Sequence, residues 1–227
     1  MREIVLDTET TGFDPLTGDR VVEIGCVELF NHMATGQEFH SYLNPERDMP
    51  AQAEAVHGLS ATFLADKPLF AAVAEELLTF IGDSPIIAHN ASFDMNFINA
   101  ELKRVGRNTL SNDRAIDTVL LARRKFPGAQ ASLDALCRRF QIDLTSRDKH
   151  GALLDAKLLS KVYLELIGGR EPGLALAAVE TVVAQQLVQD RSIRPARPHA
   201  PTAAELTAHT AFIATFKTAI WLKTSSN

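Results

Sequence analysis

Two acidic residues at the end of an apolar run are the first side chains in the sequence that could do chemistry. Residues 4–6 are apolar, Asp7 and Glu9 follow two positions apart, and Gly12 closes the stretch. This pattern predicts a strand, and because strand side chains alternate between faces, both carboxylates point the same way, about 7 Å apart. Like charges held side by side raise a pKa or require a cation, and such hard oxygen ligands suit Mg²⁺ or Mn²⁺. The alternative is a strand end at which both acids are simply hydrated.

Two further acids and a histidine occupy positions from which they could join this pair. Asp94 begins a predicted helix after the short apolar strand at 85–88, Asp155 lies in the first turns of the helix predicted over 151–166, and His150 lies on the loop before that helix. Taken singly, an aspartate near a helix N-terminus is more often a cap or dipole partner, and a loop histidine is more often a surface residue. Together, four acids and a histidine could converge on one metal site.

The predicted strands and helices that position these residues indicate an α/β fold. Strands are expected near the N-terminus, at 21–29 and at 38–43, with residues 33–36 turning between the second and third, and short links of this kind favour an antiparallel meander. Strands and helices then alternate, which indicates a mixed sheet covered by helices. Ser92 is the expected N-cap of the helix that carries Asp94. Further helices are predicted at 50–56, 70–81, 118–125, 132–140 and 151–166.

Composition limits the class of protein without identifying a substrate. The 227 residues, 46% of them apolar, are enough for one domain of about 150–180 residues with an appendage. The net charge of −5 gives no global basic field for nucleic acid, so any phosphate binding must be local or metal-mediated. No apolar run approaches the ~20 residues of a membrane span, and no signal peptide precedes the first strand, so a cytoplasmic location without membrane contact is expected. Cys26 and Cys137 have no metal-ligand spacing and are interpreted as reduced core thiols.

Three strings resemble, in order and spacing, the three motifs of the DEDD exonucleases with a histidine in the third motif: residues 6–12, 89–94 and 150–155. Further strings are similar to those of the proofreading subunits of bacterial DNA polymerase III: residues 56–58, 126–128 and 132–137. The resemblance covers residues 1 to about 169. It implies a ribonuclease-H-like fold and removal of nucleotides from a 3′ end with two Mg²⁺ or Mn²⁺ ions.

The resemblance also implies a role for each of the five residues. Asp7 would bridge both metals, Glu9 and Asp155 would hold the first, and Asp94 would support the second through water. His150 would be the general base, a task that histidine can perform at cellular pH. The implied contacts to the terminal nucleotide come from Asp7, Glu9, Asp155, Thr10, Gln52 and His57.

Three other positions, Gln52, Phe93 and Asn90, can each be interpreted in two ways. Several relatives carry an acid where this chain has Gln52, although its amide could still form a hydrogen bond. Phe93 is either a wedge against a base or part of the core. Asn90 either positions the loop that carries Asp94 or is an ordinary turn residue.

The region after the core is predicted to be a tethered tail. The expected boundaries are an exonuclease domain at 1–169, a linker at 170–201 with regularly spaced prolines, and a tail helix at 202–227 that opens with the capping box of Thr202 and Glu205. The helix is predicted to be amphipathic, with apolar residues at Leu206, Phe212, Ile213, Phe216, Ile220 and Trp221. Of these, Phe216, Ile220 and Trp221 are expected to form an exposed patch that either needs a partner or folds back on the core. By resemblance, the tail binds the polymerase. Residues 171–176 are either a sliding-clamp peptide, with Glu171 in place of the usual glutamine, or a continuation of the linker.

The prediction is therefore a metal-dependent 3′→5′ exonuclease that acts on single-stranded or frayed 3′ ends of DNA as the proofreading subunit of a replicative polymerase. One alternative is a stand-alone DEDD nuclease that trims RNA or repair intermediates, but such an enzyme has no need of a tethered helix. The other is a non-catalytic polymerase scaffold with a vestigial nuclease site. The presence of all five catalytic-type residues argues against the scaffold.

Overall fold

A computed structural model describes residues 1–145, 149–168 and 200–216. The chain divides into two compact units, one from Met1 to Gly173 and the other from Leu174 to Asn227. Along the described ranges, no helix is long and apolar enough to cross a membrane. The predicted linker and the 171–176 segment lie almost entirely outside the described residues, as do Ile220 and Trp221.

The described part of the first unit is built on a five-stranded mixed sheet with the order β3-β2-β1-β4-β5. The first three strands form the predicted antiparallel meander, whereas β4 and β5 run parallel to β1. The central strand β1 is therefore paired on both sides, and its apolar residues are buried. The strands are β1 (Arg2–Thr10), β2 (Val21–Phe30), β3 (Met33–Tyr42), β4 (Ile86–Ala88) and β5 (Ala115–Asp117).

Helices cover both faces of this sheet. Along β1, Ile4 and Leu6 pack in one apolar cluster with α3 and α4, whereas Val5, on the other face, packs in a second cluster with α6 and α7. This alternation follows from the period of two along a strand. The helices of this unit are α1 (Ala51–His57), α2 (Ala61–Leu64), α3 (Phe70–Ile81), α4 (Ala91–Arg104), α5 (Thr118–Lys125), α6 (Leu133–Arg139) and α7 (Ala152–Leu166).

The predicted turn at 33–36 is wrong. These residues belong to β3, and the connection between β2 and β3 is the two-residue loop of Asn31 and His32, with φ values of 50° and 68°. Positive φ at both positions is the geometry of the type I′ two-residue hairpin loop, and asparagine tolerates positive φ better than most residues do. Gly36, the last residue of the predicted turn, lies inside an exposed strand.

The described part of the second unit is the helix α8 (Ala203–Ile213). The predicted capping box is present, since the Thr202 hydroxyl accepts from the Glu205 amide and the Glu205 carboxylate accepts from the Thr202 amide. The helix ends earlier than predicted, because the chain leaves helical geometry after Ile213 and Phe216 lies beyond it. Residues 217–227 lie outside the described part of the chain.

Candidate active site

The carboxyl end of β1 presents the first two acids. Asp7 and Glu9 lie two residues apart on the strand, and the pairing of β1 with β2 shifts register between Glu9 and Thr10. An irregularity of this kind ends regular pairing and turns the chain. It occurs where the chain leaves the sheet towards the loop that contains Gly12.

Asp94 reaches the same region from the first turn of α4, which follows β4. Because β4 runs parallel to β1, the carboxyl ends of both strands lie at the same edge of the sheet. Asp94 is only 3% exposed, and its Oδ1 accepts a hydrogen bond of 2.7 Å from the Thr8 hydroxyl. Its position is thus fixed by the strand that carries the first acid pair.

Asp155 and His150 come from the start of α7. Gly25 of β2, the residue paired with Asp7, allows this approach, because a Cβ at Gly25 would overlap the backbone of Ala152 and Leu153. Asp155 is 3% exposed, and His150 lies on the preceding loop with its Nδ1 3.3 Å from Asp155 Oδ2. The close contact between helix and sheet therefore brings the third motif to the first.

The predicted acids and histidine do converge. Ligand atoms of Glu9, His150 and Asp155 all lie within 4.8 Å of one another. Burial raises the pKa of Asp7 well above its ordinary value, and the charges of Asp94, Glu9 and Asp155 raise it further. Burial also raises the pKa of Asp94 to about 7, although the Thr8 hydrogen bond works in the opposite direction. Clustered carboxylates that resist ionisation are an arrangement that a divalent cation would stabilise.

A cleft of about 550 Å³ adjoins this cluster. Of the predicted nucleotide contacts, Glu9, Thr10, Gln52 and His57 line the cleft, whereas Asp7 and Asp155 line a smaller pocket of about 270 Å³ together with His150. Glu9 belongs to both the cleft wall and the acid cluster. Glu9 therefore connects the wall of the cleft to the acid cluster.

His57 presents an unused hydrogen-bonding group beside the cleft. It is the last residue of α1, which Gly58 ends in a left-handed conformation, and it is 6% exposed. Its Nδ1 accepts from the Leu59 amide at 3.0 Å, so Nε2 carries the proton of the neutral ring. Burial lowers the His57 pKa, and a backbone contact with Thr10 opposes that shift. Nε2 is buried and forms no hydrogen bond of ordinary geometry among the described residues, so its proton is available to a ligand in the cleft.

The structure corrects or extends three of the motif predictions. The expected N-cap Ser92 is not the cap, because α4 begins at Ala91 and Asn90 is the cap, in a left-handed conformation without a side-chain cap hydrogen bond. Ser92 instead donates to the Asn90 side chain at 3.3 Å. Phe93 packs against Phe97, as the core interpretation expects, and it also lines the cleft, while its role as a wedge against a base stays a prediction.

Sequence reasoning missed three residues around the site. Phe13 lines the cleft with 87% of its surface exposed, and His89 lines the smaller pocket beside Asp7. Glu23 is a buried acid on β2, directly opposite Glu9. A signal existed for Glu23, since it is an acid within an otherwise apolar strand run, and for Phe13, an aromatic residue directly after the Gly12 turn.

Comparison with known proteins gives the class of the molecule. A family model described as "Exonuclease" matches residues 4–163. The solved structure of exonuclease X in complex with 5′-overhanging duplex DNA is 25% identical, with a TM-score of 0.57 over 73% of this chain and 91% of that one. The nuclease domain of 3′hExo, described as a DEDDh family member bound to rAMP, is 17% identical, with a TM-score of 0.63 over 74% of this chain and 92% of that one. The fold is thus the ribonuclease-H-like fold of exonucleases.

A closer relative narrows the class. The DNA polymerase III subunit epsilon of Rickettsia felis is 48% identical over 219 residues, which cover 94% of this chain and 96% of the relative. The chain therefore belongs to the exonuclease family and, within it, to the DNA polymerase III epsilon subunits. It is a 3′→5′ exonuclease of a family that depends on divalent metal ions, and the resemblance inferred from its motifs is confirmed.

Proposed function

We propose that this protein removes nucleotides from the 3′ end of DNA as the proofreading subunit of a replicative polymerase, in the bacterial cytoplasm. The observation that carries the proposal is the position of Glu9, which is part of the acid cluster and also of the cleft wall. A terminal nucleotide in the cleft would have its phosphate at the acids. The DNA-bound exonuclease X and the epsilon relatives support DNA as the substrate and a polymerase as the partner.

The donor set fits two divalent ions, Mg²⁺ or Mn²⁺. Glu9 and Asp155 would hold the first, Asp7 would contribute to both, and Asp94, one oxygen of which is engaged by Thr8, would support the second through water. When bound, such ions supply charge stabilisation of an in-line displacement at phosphorus. His150 would accept the proton of the attacking water at a ring nitrogen, and the contact with Asp155 orients that ring.

The terminal nucleotide would be held largely without reading its base. His57 Nε2 would donate a hydrogen bond to the nucleotide from a buried position, and the amide of Gln52 could also form one. Thr10 lies in the wall of the cleft, next to the space that the nucleotide would occupy. Phe13 and Phe93 offer aromatic surface for stacking, which is sequence-tolerant because every base has a flat face. Selectivity then depends on how readily the DNA terminus separates from its template.

Faster removal of a mispaired terminus is the expected result that tests this role. Separating a paired 3′ nucleotide costs roughly 1–3 kcal/mol in lost stacking and pairing, and a mismatch has already lost most of that. Matched hairpins that differ only in the terminal pair should therefore differ about tenfold or more in single-turnover rate. The control is a set of single strands with different terminal bases, which should agree within about threefold. Equal rates on paired and mispaired hairpins, with chemistry limiting, would remove the proofreading role.

For the tail, we propose a docking segment for the polymerase. Three large apolar side chains on or just after α8 are strongly exposed, with Phe212 at 61%, Leu206 at 52% and Phe216 at 47%, and the rings of Phe212 and Phe216 lie edge to face at 5.0 Å. Exposed aromatic residues of this kind are typical interface anchors. Clamp binding through residues 171–176 stays a prediction, because that segment lies outside the described residues.

Removing residues 200–227 should eliminate stable association with the polymerase and leave hydrolysis of a free oligonucleotide unchanged. Within the full chain, Phe212→Ser should weaken association by about 2 kcal/mol, roughly 30-fold, if the ring fills a pocket. The matched control is His209→Ser, an exposed change on the same helix. Both affinities can be measured by surface plasmon resonance. A truncated protein that loses free-oligonucleotide activity would show that the tail belongs to the nuclease core instead.

A further inference from the structure

A buried acid outside the predicted motifs lies beside the acid cluster. Glu23 is 3% exposed and is the residue of β2 directly opposite Glu9 of β1. Directly opposed residues of an antiparallel pair have their side chains on the same face, with Cβ atoms about 4.5–5.5 Å apart. A fifth carboxylate therefore shares the face that carries the proposed metal ligands. Its charge is one of those that raise the pKa of Asp7.

This carboxylate is fixed by a histidine of the neighbouring strand. His40 Nε2 donates to Glu23 Oε1 at 2.7 Å, with the His40 side chain 31% exposed. The ring of Tyr42 lies edge to face against that of His40 at 4.7 Å, and the ring of Phe63 packs edge to face against Tyr42 at 5.1 Å. The ring of His40 is thus packed against Tyr42, which in turn packs against α2. The hydrogen bond directs one carboxylate oxygen of Glu23 towards β3.

The other carboxylate oxygen faces the third motif. A Cβ at Gly151 would lie 3.9 Å from Glu23 Oε2, an ordinary contact distance. Gly151 is the N-cap of α7, and its carbonyl accepts from the Asp155 amide at 2.8 Å. Glu23 therefore lies beside the junction at which His150 ends and the helix of Asp155 begins. It neighbours both Glu9, across the strand pair, and the start of that helix.

We propose that Glu23 and His40 are positioning residues: the carboxylate that His40 holds fixes Glu9 and the start of α7 in the arrangement that binds the metal, and adds negative charge without being a ligand. The inference rests on the proposed metal-dependent function. Groups that surround and orient the ligands of a metal typically contribute about 10–100-fold in metal affinity. Substitution of a residue with this role should therefore change the affinity for the ion more than it changes kcat once the ion is bound.

The test is a titration of the full chain with Mn²⁺, followed by the electron paramagnetic resonance signal of the free ion. Glu23→Gln and His40→Ala should each weaken Mn²⁺ binding by about tenfold. His40→Gln retains an N–H donor close to the position of Nε2 and should stay within about threefold of the wild type. Because both residues act through one hydrogen bond, the double variant Glu23→Gln/His40→Ala should be little weaker than either single one. With saturating Mn²⁺, kcat should stay within about threefold of the wild type in all of them.

The chain supplies matched controls for both substitutions. Glu28 is an acid further along the same strand, paired with Arg2, and His32 forms a second histidine–glutamate contact with Glu3, 2.8 Å long, in the β2–β3 hairpin. Glu28→Gln and His32→Ala should leave Mn²⁺ affinity unchanged, with circular dichroism reporting the fold of every variant.

Three outcomes would overturn the inference: unchanged Mn²⁺ affinity in folded Glu23→Gln and His40→Ala, an equal loss in the control variants, or a loss in His40→Gln as large as in His40→Ala. Should Glu23→Gln not fold, the comparison of His40→Ala with His40→Gln decides alone. A wild-type chain that binds no Mn²⁺ would instead contradict the proposed metal-dependent function itself, so the two failures are distinguishable.

Discussion

Replacing Asp7 by asparagine is expected to lower turnover by at least about 10³-fold, equivalent to roughly 4 kcal/mol of transition-state stabilisation. The reason is the position of Asp7 among Glu9, Asp94 and Asp155, from which it would contribute to both metal ions. Single-turnover hydrolysis of a short oligonucleotide in saturating Mg²⁺ measures the effect. The matched control is Asp83→Asn, an exposed acid on the loop after α3, which should keep full activity. Full activity of purified Asp7→Asn would contradict the assigned site.

The same variant should be more stable than the wild type when metal is removed. Burial raises the pKa of the Asp7 carboxyl in the folded chain, so the native state holds that proton more tightly than the unfolded state does. The contribution of Asp7 to the free energy of unfolding of the metal-free protein is therefore greatest at low pH and falls as the pH rises above about 4, the ordinary pKa of aspartate. Asparagine cannot ionise, so the variant avoids the free-energy cost of a charged carboxylate at this buried position. In EDTA, the Tm of Asp7→Asn should exceed that of the wild type at pH 8, and the difference should shrink at pH 5.

Replacing His150 by alanine should lower kcat by roughly 10²–10⁴-fold, the usual contribution of proton transfer to a positioned base. A base must be unprotonated to act, so the wild-type rate should rise with pH and the residual rate of His150→Ala should not follow that profile. Added imidazole should restore part of the activity, because the deletion leaves space on the exposed loop that precedes α7.

The position of His150 also allows a second role, since its ring nitrogen lies close enough to Glu9 and Asp155 to be a metal ligand. The Mn²⁺ affinity separates the two roles. If His150 is the base, the Mn²⁺ affinity of His150→Ala should stay close to that of the wild type. If His150 is a metal ligand, the substitution should weaken Mn²⁺ binding strongly. His32→Ala, at the distant hairpin, controls for loss of a histidine. Weakened Mn²⁺ binding in His150→Ala alone would reassign His150 from base to ligand.

The sequence by itself determined those features that depend on short-range order. The alternation of side chains along residues 4–9 was enough to put Asp7 and Glu9 on one face of a strand. The helix expected at 50–56 agrees with α1 to within one residue at each end, and the capping box of Thr202 and Glu205 marks the start of α8. These predictions succeeded because strand alternation and helix capping each depend on a few neighbouring residues.

Only the tertiary structure decided which groups meet. His57 could be named from a motif, but its unpartnered Nε2 results from burial beside a cleft whose walls come from β1, α1 and α4. The closeness of Asp155 to Asp7 depends on Gly25, which lets α7 touch the sheet where a side chain would hold it away. Glu23 and His40 are 17 positions apart and become partners through the register of β2 and β3. Strand order, register and helix-to-sheet distance arise from the packing of the whole core, and no local pattern of residues encodes them.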